Sequence, residues 1–151
     1  MKITQLLRPD LIKMEITSKD KTSAIRELAE LMRNKKEVKD LDKFIHDVYE
    51  REQLGSTAVG DGIALPHARS EGINELIIAF GRSFQGLDFD ALDAKPVNLI
   101  FLIGTPKDDV GTYLKTLAHL SRLLKKETIR NKLLSASSPQ EVIEIFKEVE
   151  G

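Results

Sequence analysis

The sequence of 151 residues contains no cysteine and no tryptophan, and it has only three histidines. Without cysteine, the chain can form neither disulfide bonds nor a zinc site built on thiolates. Candidates for nucleophilic chemistry are therefore few. The formal net charge is -1, from 23 basic and 24 acidic residues, with no basic excess of the kind that nucleic-acid binding requires. We therefore expect no nucleic acid among the partners.

Long hydrophobic runs are also missing. The longest, from Val97 to Ile103, is interrupted by Asn98 and is far shorter than the ~20 residues that span a bilayer. Residues 1–8 lack the apolar core of a signal peptide. Hydrophobic residues at 41% and charged residues at 31% are typical of a globular protein. These features predict a cytoplasmic protein without membrane insertion, and the lack of linkers and repeats predicts one domain over residues 1–151.

Helical and strand patterns follow one another along the chain. Apolar residues at helical spacing alternate with short β-branched runs, and some of these runs are apolar enough to be buried on both faces. The pattern predicts an α/β fold, a three-layer α/β/α sandwich with a mixed central sheet of about five strands. Strands are predicted over 11–16, 76–80 and 97–103, short strands and loops over 56–66, and helices over about 18–34, 40–54, 109–124, 128–134 and 139–149.

The three histidines differ in their sequence context. His46 lies off the apolar face of its predicted helix, and His119 lies opposite the predicted apolar face of another, so we expect both at the surface. The apolar face predicted opposite His119 comprises Leu114, Leu117, Ser121 and Leu124.

His67 follows Pro66, and proline fixes its own φ and pushes the preceding residue toward extended geometry. His67 is therefore presented at a rigid position after a candidate strand, where α/β folds place ligands.

The chemistry open to His67 is limited by the motifs that the chain lacks. It has no Gly-x-Ser-x-Gly elbow, no phosphate-binding Gly-x-x-x-x-Gly-Lys loop and no Gly-x-Gly-x-x-Gly fingerprint. A dispersed Ser-His-Asp triad stays open. Neither a metal nor a cofactor is expected. What remains is a neutral imidazole that attacks a phosphoryl group, a reaction that depends on positive charge and N–H donors around the oxygens.

Four residues could supply such donors. Arg51 has the fork-shaped guanidinium suited to phosphate, Ser56 and Thr57 have hydroxyls, and Arg69 follows His67 closely. Each also has a plainer interpretation. Arg51 could be a cation favoured at a helix C-terminus, the hydroxyls could be ordinary loop groups, and Arg69 could be a solvated charge.

Two segments resemble a known family. Arg51–Thr57 and Gly60–His67 are similar to the active-site region of enzyme IIA of the bacterial phosphotransferase system, of the fructose/mannitol type that includes the nitrogen-regulatory enzyme IIA. The resemblance covers nearly the whole chain, including residues 90–97 and 120–124. It implies a phosphohistidine carrier in which His67 takes a phosphoryl group on Nε2 from phospho-HPr or a nitrogen-branch HPr. Arg51 would be the active-site arginine, and an enzyme IIB or a regulatory protein would be the acceptor.

One position departs from that family's pattern. The family often has a second histidine in a His-Leu-x-x-Leu stretch that opens the helix after the central strand. Aligning on Leu114, Leu117 and Leu120 places Tyr113 there. Its neutral hydroxyl can donate to a phosphate oxygen, although an aromatic at the edge of the core would look the same. The tyrosine is a mild indication of regulation rather than sugar transport.

Two further functions stay open on the sequence alone. One is a phosphorylation-dependent interaction module without onward transfer, and the other is a small hydrolase with a histidine-based site.

If the imidazole of His67 must be neutral to attack, phosphoryl transfer should weaken below about pH 6.5, the unperturbed pKa of histidine.

Overall fold

Helices and strands alternate in a computed structural model that describes residues 2–151, with the backbone alone for Val59. The six strands are β1 (Ile12–Lys13), β2 (Ala58–Gly60), β3 (Ile63–Ala64), β4 (His67–Ser70), β5 (Ile77–Leu87) and β6 (Val97–Pro106). The helices are α1 (Ile3–Leu6), α2 (Lys21–Glu30), α3 (Leu41–Gln53), α4 (Val110–Leu124), α5 (Glu127–Ser135) and α6 (Pro139–Glu150).

The strands form one mixed sheet in the order β1-β5-β6-β3-β2, with β4 also paired to β6. β5 and β6 are antiparallel, whereas β3 and β4 both run parallel to β6. Ala64 pairs with Ile100 and His67 with Ile103, so β3 and β4 keep one register on β6 and are interrupted only by Leu65 and Pro66. The sheet therefore has five strand positions, as predicted.

Each face of the sheet carries its own apolar layer. Along β6, Ile100 and Leu102 contribute to one layer, and Phe101 and Ile103 contribute to the other, as the alternation of side chains along a strand requires. Helices α2 and α3 cover the first face, and α1, α4, α5 and α6 cover the second. The predicted three-layer α/β/α sandwich is therefore confirmed.

Side chains at the N-cap fix where the long helices begin. The carboxylates of Asp40 and Asp109 accept hydrogen bonds from the third helical N–H groups of α3 and α4, and Ser138 does the same for α6. Such caps each contribute about 1 kcal/mol to helix stability. They matter for function because α3 and α4 are the helices that flank His67.

Several predicted boundaries are wrong at the edges of the fold. The strand predicted over 11–16 is reduced to two residues, because Pro9–Leu11 forms a 3₁₀ turn and the chain bends away after Lys13. The helix predicted to about residue 34 ends at Glu30, and the following turns contain Asn34 at a φ of 66°. The short helix α1 was not predicted.

The predicted apolar face of α4 is correct for Leu117 and Leu124, which pack into the core, and wrong for Leu114. The buried side chains of the helix are Thr116, Leu120, Leu123 and Leu124, whereas Leu114 is 56% exposed. His119, predicted at the surface, is partly covered, and its Nε2 lies 2.6 Å from Oε2 of Glu150. Glu150, at the end of α6, also accepts hydrogen bonds from the N–H groups of Ile3 and Thr4 in α1. Among residues 2–151, no helix is long and apolar enough to cross a membrane.

Gly104 provides a test of how tightly α3 is packed against the strand that pairs with His67. A Cβ at this position would lie 2.9 Å from Cε1 of Phe44 and 3.1 Å from Cδ1 of Ile73. We expect Gly104→Ala to lower the free energy of unfolding by about 1–3 kcal/mol, the usual cost of overpacking a core. Urea denaturation followed by circular dichroism measures this change.

Gly111 is the matched control, because a Cβ there would meet no atom within 4 Å. Gly111→Ala lies in the first turn of α4 and should be neutral or stabilising by up to about 1 kcal/mol. Equal losses in the two variants would contradict the assigned packing.

Candidate active site

His67 lies at the start of β4, directly after the break between β3 and β4. The residue is 8% exposed, and its Nδ1 lies 2.6 Å from the carbonyl oxygen of Leu65. A carbonyl oxygen can only accept, so Nδ1 carries the proton in this contact. The lone pair of the neutral ring is therefore on Nε2, which becomes the nucleophilic atom.

The chain on both sides of Pro66 is fixed by backbone hydrogen bonds. The N–H of Leu65 donates to the carbonyl of Thr57 over 3.2 Å, and the N–H of Ile103 donates to the carbonyl of Pro66 over 3.0 Å. Proline itself has no N–H and a restricted φ. The Leu65 carbonyl that holds the His67 ring is thus part of a rigid segment, as the Pro-His sequence predicts.

The surroundings of His67 favour its neutral form. Burial is the main cause that lowers the pKa of His67, and the charge of Arg51 lowers it further. The hydrogen bond to Leu65 and the charge of Glu52 raise the pKa, but the net shift is downward from 6.5. The ring should therefore stay neutral to a lower pH than an unperturbed histidine does.

Tyr113 and Arg69 are close to His67. The Tyr113 ring meets the imidazole edge-to-face, with 5.3 Å between centroids and 63° between planes. Cζ of Arg69 lies 5.6 Å from the centroid of the same phenol ring, and its Nη1 donates to the carbonyl of Lys107 over 3.2 Å. Burial raises the pKa of Tyr113, and nearby Arg51 and Arg69 oppose that rise. The phenol keeps its proton at neutral pH and can act as a donor.

Arg51 lies in the last turn of α3, where its Nη1 donates to the carbonyl of Gly55 over 2.9 Å. A guanidinium has five N–H donors in a planar fork, so most of them remain available to an anion. The charge of Arg51 acts on the pKa of both His67 and Tyr113. The charge of Arg51 is therefore close enough to act on both rings.

Ser56 and Thr57 use their hydroxyl protons inside the protein. The hydroxyl of Ser56 donates to the carbonyl of Phe89 over 2.5 Å and accepts from the N–H of Ala58. The hydroxyl of Thr57 donates to the carboxylate of Glu52. In this structure both hydroxyls therefore brace the loop that joins α3 to β2, instead of pointing a proton at an incoming phosphate.

Glu52 is a residue that sequence reasoning missed. It is 8% exposed and forms an ion pair with Nζ of Lys21 at 2.7 Å. The available signal was its spacing, because the buried positions of α3 at Leu41, Ile45 and Val48 continue to residue 52. A glutamate on the apolar face of a helix predicts a buried carboxylate, and a buried carboxylate needs hydrogen-bond donors around it.

A shallow groove of about 630 Å³ lies beside these residues. It contains charges of both signs and one strongly exposed apolar side chain, Leu54, at 84% exposure. Its lining comprises Lys43, Asp47, Glu50, Arg51, Gln53, Leu54, Arg69, Glu71 and Lys107. Elsewhere His46 is exposed next to Glu50, as predicted. Within residues 2–151, no group of three or more metal-ligating side chains comes together.

Fold and site together define an α/β protein that presents one neutral, buried histidine beside arginines and a phenol, which is the chemistry of a phosphoryl carrier. The chain belongs to the family described as "Phosphoenolpyruvate-dependent sugar phosphotransferase system, EIIA 2", which matches residues 5–149. The resemblance of the sequence to enzyme IIA of the fructose/mannitol type is thus confirmed.

Two curated proteins illustrate the relationship. The chain is 38% identical over 148 residues to the "PTS system fructose-specific EIIABC component" of Bacillus subtilis, which covers 98% of this chain and only 23% of that relative. It is 39% identical over 140 residues to the "PTS system fructose-specific EIIA component" of Haloferax volcanii, covering 93% of this chain and 91% of that protein.

A solved structure agrees with the fold. Nitrogen Regulatory Protein IIA-Ntr from Neisseria meningitidis superposes with a TM-score of 0.84 at 30% identity, and the match covers 95% of this chain and 98% of that one. The chain is therefore similar both to sugar-specific and to nitrogen-regulatory proteins.

The lowered pKa of His67 predicts its titration. In an NMR titration of the ring resonances, the midpoint of His67 should fall below 6.5, because burial and Arg51 disfavour the imidazolium. The unfolded chain then binds more protons than the folded one as pH falls below about 6.5, so stability decreases through that window. His67→Gln should remove this part of the pH dependence. A midpoint at or above 6.5 would contradict the assigned surroundings.

Proposed function

We propose that the protein accepts a phosphoryl group from phospho-HPr, or from a nitrogen-branch HPr, on Nε2 of His67. It then passes the group to an enzyme IIB or signals by its phosphorylation state, in sugar uptake or nitrogen regulation. The observation that carries the proposal is the contact of Nδ1 with the Leu65 carbonyl, which leaves Nε2 as the reactive atom. Residues 1–151 would form one enzyme IIA domain that works in the cytoplasm without a cofactor.

The transfer step forms one bond to phosphorus and breaks another. The lone pair on Nε2 of His67 forms the N–P bond, while the bond from phosphorus to the donor breaks and the donor atom keeps that electron pair. The Nδ1 proton stays on the ring, where the Leu65 carbonyl accepts from it. The phosphorylated ring then carries positive charge, which makes it a better leaving group for onward transfer.

Positive charge and donors close to His67 would stabilise the phosphoryl oxygens. Arg51 has N–H groups beyond the one bound to Gly55, and the half-buried phenol of Tyr113 can donate a hydrogen bond. Arg69 adds a second cation, over the face of the Tyr113 ring. In this proposal Ser56 and Thr57 support the site through the loop that they brace.

Exposed apolar side chains near the site would serve partner docking. Leu54 follows α3, and Val110 and Leu114 project from the first turns of α4, on either side of Tyr113 in sequence. Arg69 and Lys107 lie at the rim of the groove. An apolar centre with a charged rim suits a transient protein interface. The phosphoryl donor and the acceptor would then use this surface in turn.

Tyr113 supports a second candidate function. It is neutral where the family often has a second histidine, so it cannot take or supply a proton near pH 7 as an imidazole can. The protein would then be a phosphorylation-dependent interaction module without onward transfer. Uptake of phosphate without transfer to any enzyme IIB of the same organism would favour this candidate over the carrier.

The first test is phosphoryl uptake. Incubation with labelled phospho-HPr should give the wild type an acid-labile label. His67→Ala should abolish it, because within residues 2–151 the recorded ring contacts of His46 and His119 are with side chains and not with a backbone carbonyl. His46→Ala, which changes an exposed histidine paired with Glu50, is the matched control and should be labelled normally. Wild-type labelling of His67→Ala would refute the proposal.

The second test concerns the Tyr113 hydroxyl. Tyr113→Phe keeps the ring against His67 and removes only the donor, so we expect uptake to slow by about 10-fold, the effect of losing one hydrogen bond to a charged group. Single-turnover labelling with phospho-HPr measures the rate. An unchanged rate would show that Tyr113 acts only by packing against the imidazole.

A further inference from the structure

Glu52 is a buried carboxylate that takes no direct part in the proposed reaction. A buried charge needs donors, since an unpaired one costs several kcal/mol. Glu52 has three donors, which are Nζ of Lys21 at 2.7 Å, the hydroxyl of Thr57, and the N–H of Thr57 at 3.4 Å. Two of the three come from one residue of the loop before β2. The carboxylate therefore fixes Thr57 relative to α3.

Thr57 connects this carboxylate to the imidazole. The Thr57 carbonyl accepts from the N–H of Leu65 over 3.2 Å, and the Leu65 carbonyl accepts from Nδ1 of His67 over 2.6 Å. Glu52 and His67 are thus joined through two residues by successive hydrogen bonds. A shift of Thr57 would move Leu65 and the carbonyl that selects the ring tautomer.

Lys21 supplies the charge that makes this arrangement compatible with phosphate. The charge of Glu52 acts on the pKa of His67, so it also reaches the place where a dianionic phosphoryl group would bind. Lys21 is largely buried, lies against the carboxylate and stands 5.3 Å from the centroid of Phe89. Phe89 in turn accepts the hydroxyl proton of Ser56. The lysine therefore neutralises Glu52 and lies against Phe89, whose carbonyl holds Ser56 of the loop.

We propose that Glu52, neutralised by Lys21, is a positioning residue that holds His67 in its Nδ1-protonated tautomer through Thr57 and Leu65. The proposal rests on the proposed function, because a fixed tautomer matters for activity only if Nε2 accepts the phosphoryl group. It differs from a purely structural role in one respect. A structural ion pair changes stability alone, whereas a positioning pair also changes the protonation pattern of a residue that it does not touch.

Glu37 is the matched control within the same chain. It is also a buried glutamate in an ion pair, with Nη1 of Arg8 at 2.8 Å, but it hydrogen bonds to none of the residues at the site. Glu37→Ala and Glu52→Ala should both lower stability. Only Glu52→Ala should affect His67.

The experiment combines two readouts on histidine-labelled protein. ¹⁵N NMR at a pH above the His67 titration reports which ring nitrogen carries the proton, and phosphoramidate serves as a partner-free phosphoryl donor that releases ammonia as the N–P bond to His67 forms. Wild type and Glu37→Ala should show the Nδ1-protonated form and equal rates. Glu52→Ala should show mixed tautomers and a rate lower by about 10- to 100-fold, the usual effect of removing a group that orients a functional histidine.

Conservative variants keep the proposal testable if Glu52→Ala does not fold. Thr57→Val cuts the same connection one residue further along, and Thr57→Ser restores the hydroxyl and should restore both tautomer and rate. A wild-type tautomer and rate in Glu52→Ala, or in Thr57→Val, would overturn the positioning role. If the wild type shows the Nδ1-protonated tautomer but takes no phosphate on His67, the proposed function fails while the positioning of the ring stands.

Discussion

The hydrogen bond from Nδ1 of His67 to the carbonyl of Leu65 is the interaction on which the site depends. It decides which nitrogen is protonated, and therefore which atom of the ring can react. The bond spans only two residues, so its geometry is set by Pro66 between them. The sheet is built around this feature, because β3 and β4 keep one register on β6 and leave only Leu65 and Pro66 out of it.

The electrostatics of the site balance two requirements. A nucleophilic imidazole must be neutral, which burial and the charge of Arg51 favour. A phosphorylated imidazole must tolerate a dianion nearby, which needs cations and few free negative charges. Arg51 serves both requirements, since it disfavours the imidazolium before the reaction and attracts phosphoryl oxygens during it. Glu52 opposes both, and its pairing with Lys21 limits that effect.

Local sequence signals predicted part of this arrangement. The pair Pro66–His67 indicated a rigid histidine at a strand end, and the apolar run over β6 indicated the central strand. Tyr113 was placed at the site only through the resemblance to enzyme IIA, because nothing in its own context distinguishes it from a core aromatic. The three-layer sandwich followed from helices flanking doubly buried strands, and it is confirmed.

What the sequence did not predict depends on contacts between distant segments. The donors of Glu52 include Lys21 on another helix, and the hydroxyl of Ser56 bonds to the carbonyl of Phe89, so neither partner can be found from spacing. The buried face of α4 was misassigned in part, because Leu114 is left exposed while Thr116 turns inward. Packing against the other helices outweighed the count of apolar residues on the helical wheel.

NMR of the phosphorylated protein can show whether His67 reacts through Nε2 while Leu65 holds the Nδ1 proton. Labelling the histidines with ¹⁵N and treating the protein with phosphoramidate allows the phosphorus–nitrogen coupling to identify the bonded atom. We expect ³¹P to couple to Nε2 of His67 and the Nδ1 proton to be retained. Coupling to Nδ1 of His67, or to another histidine, would contradict it.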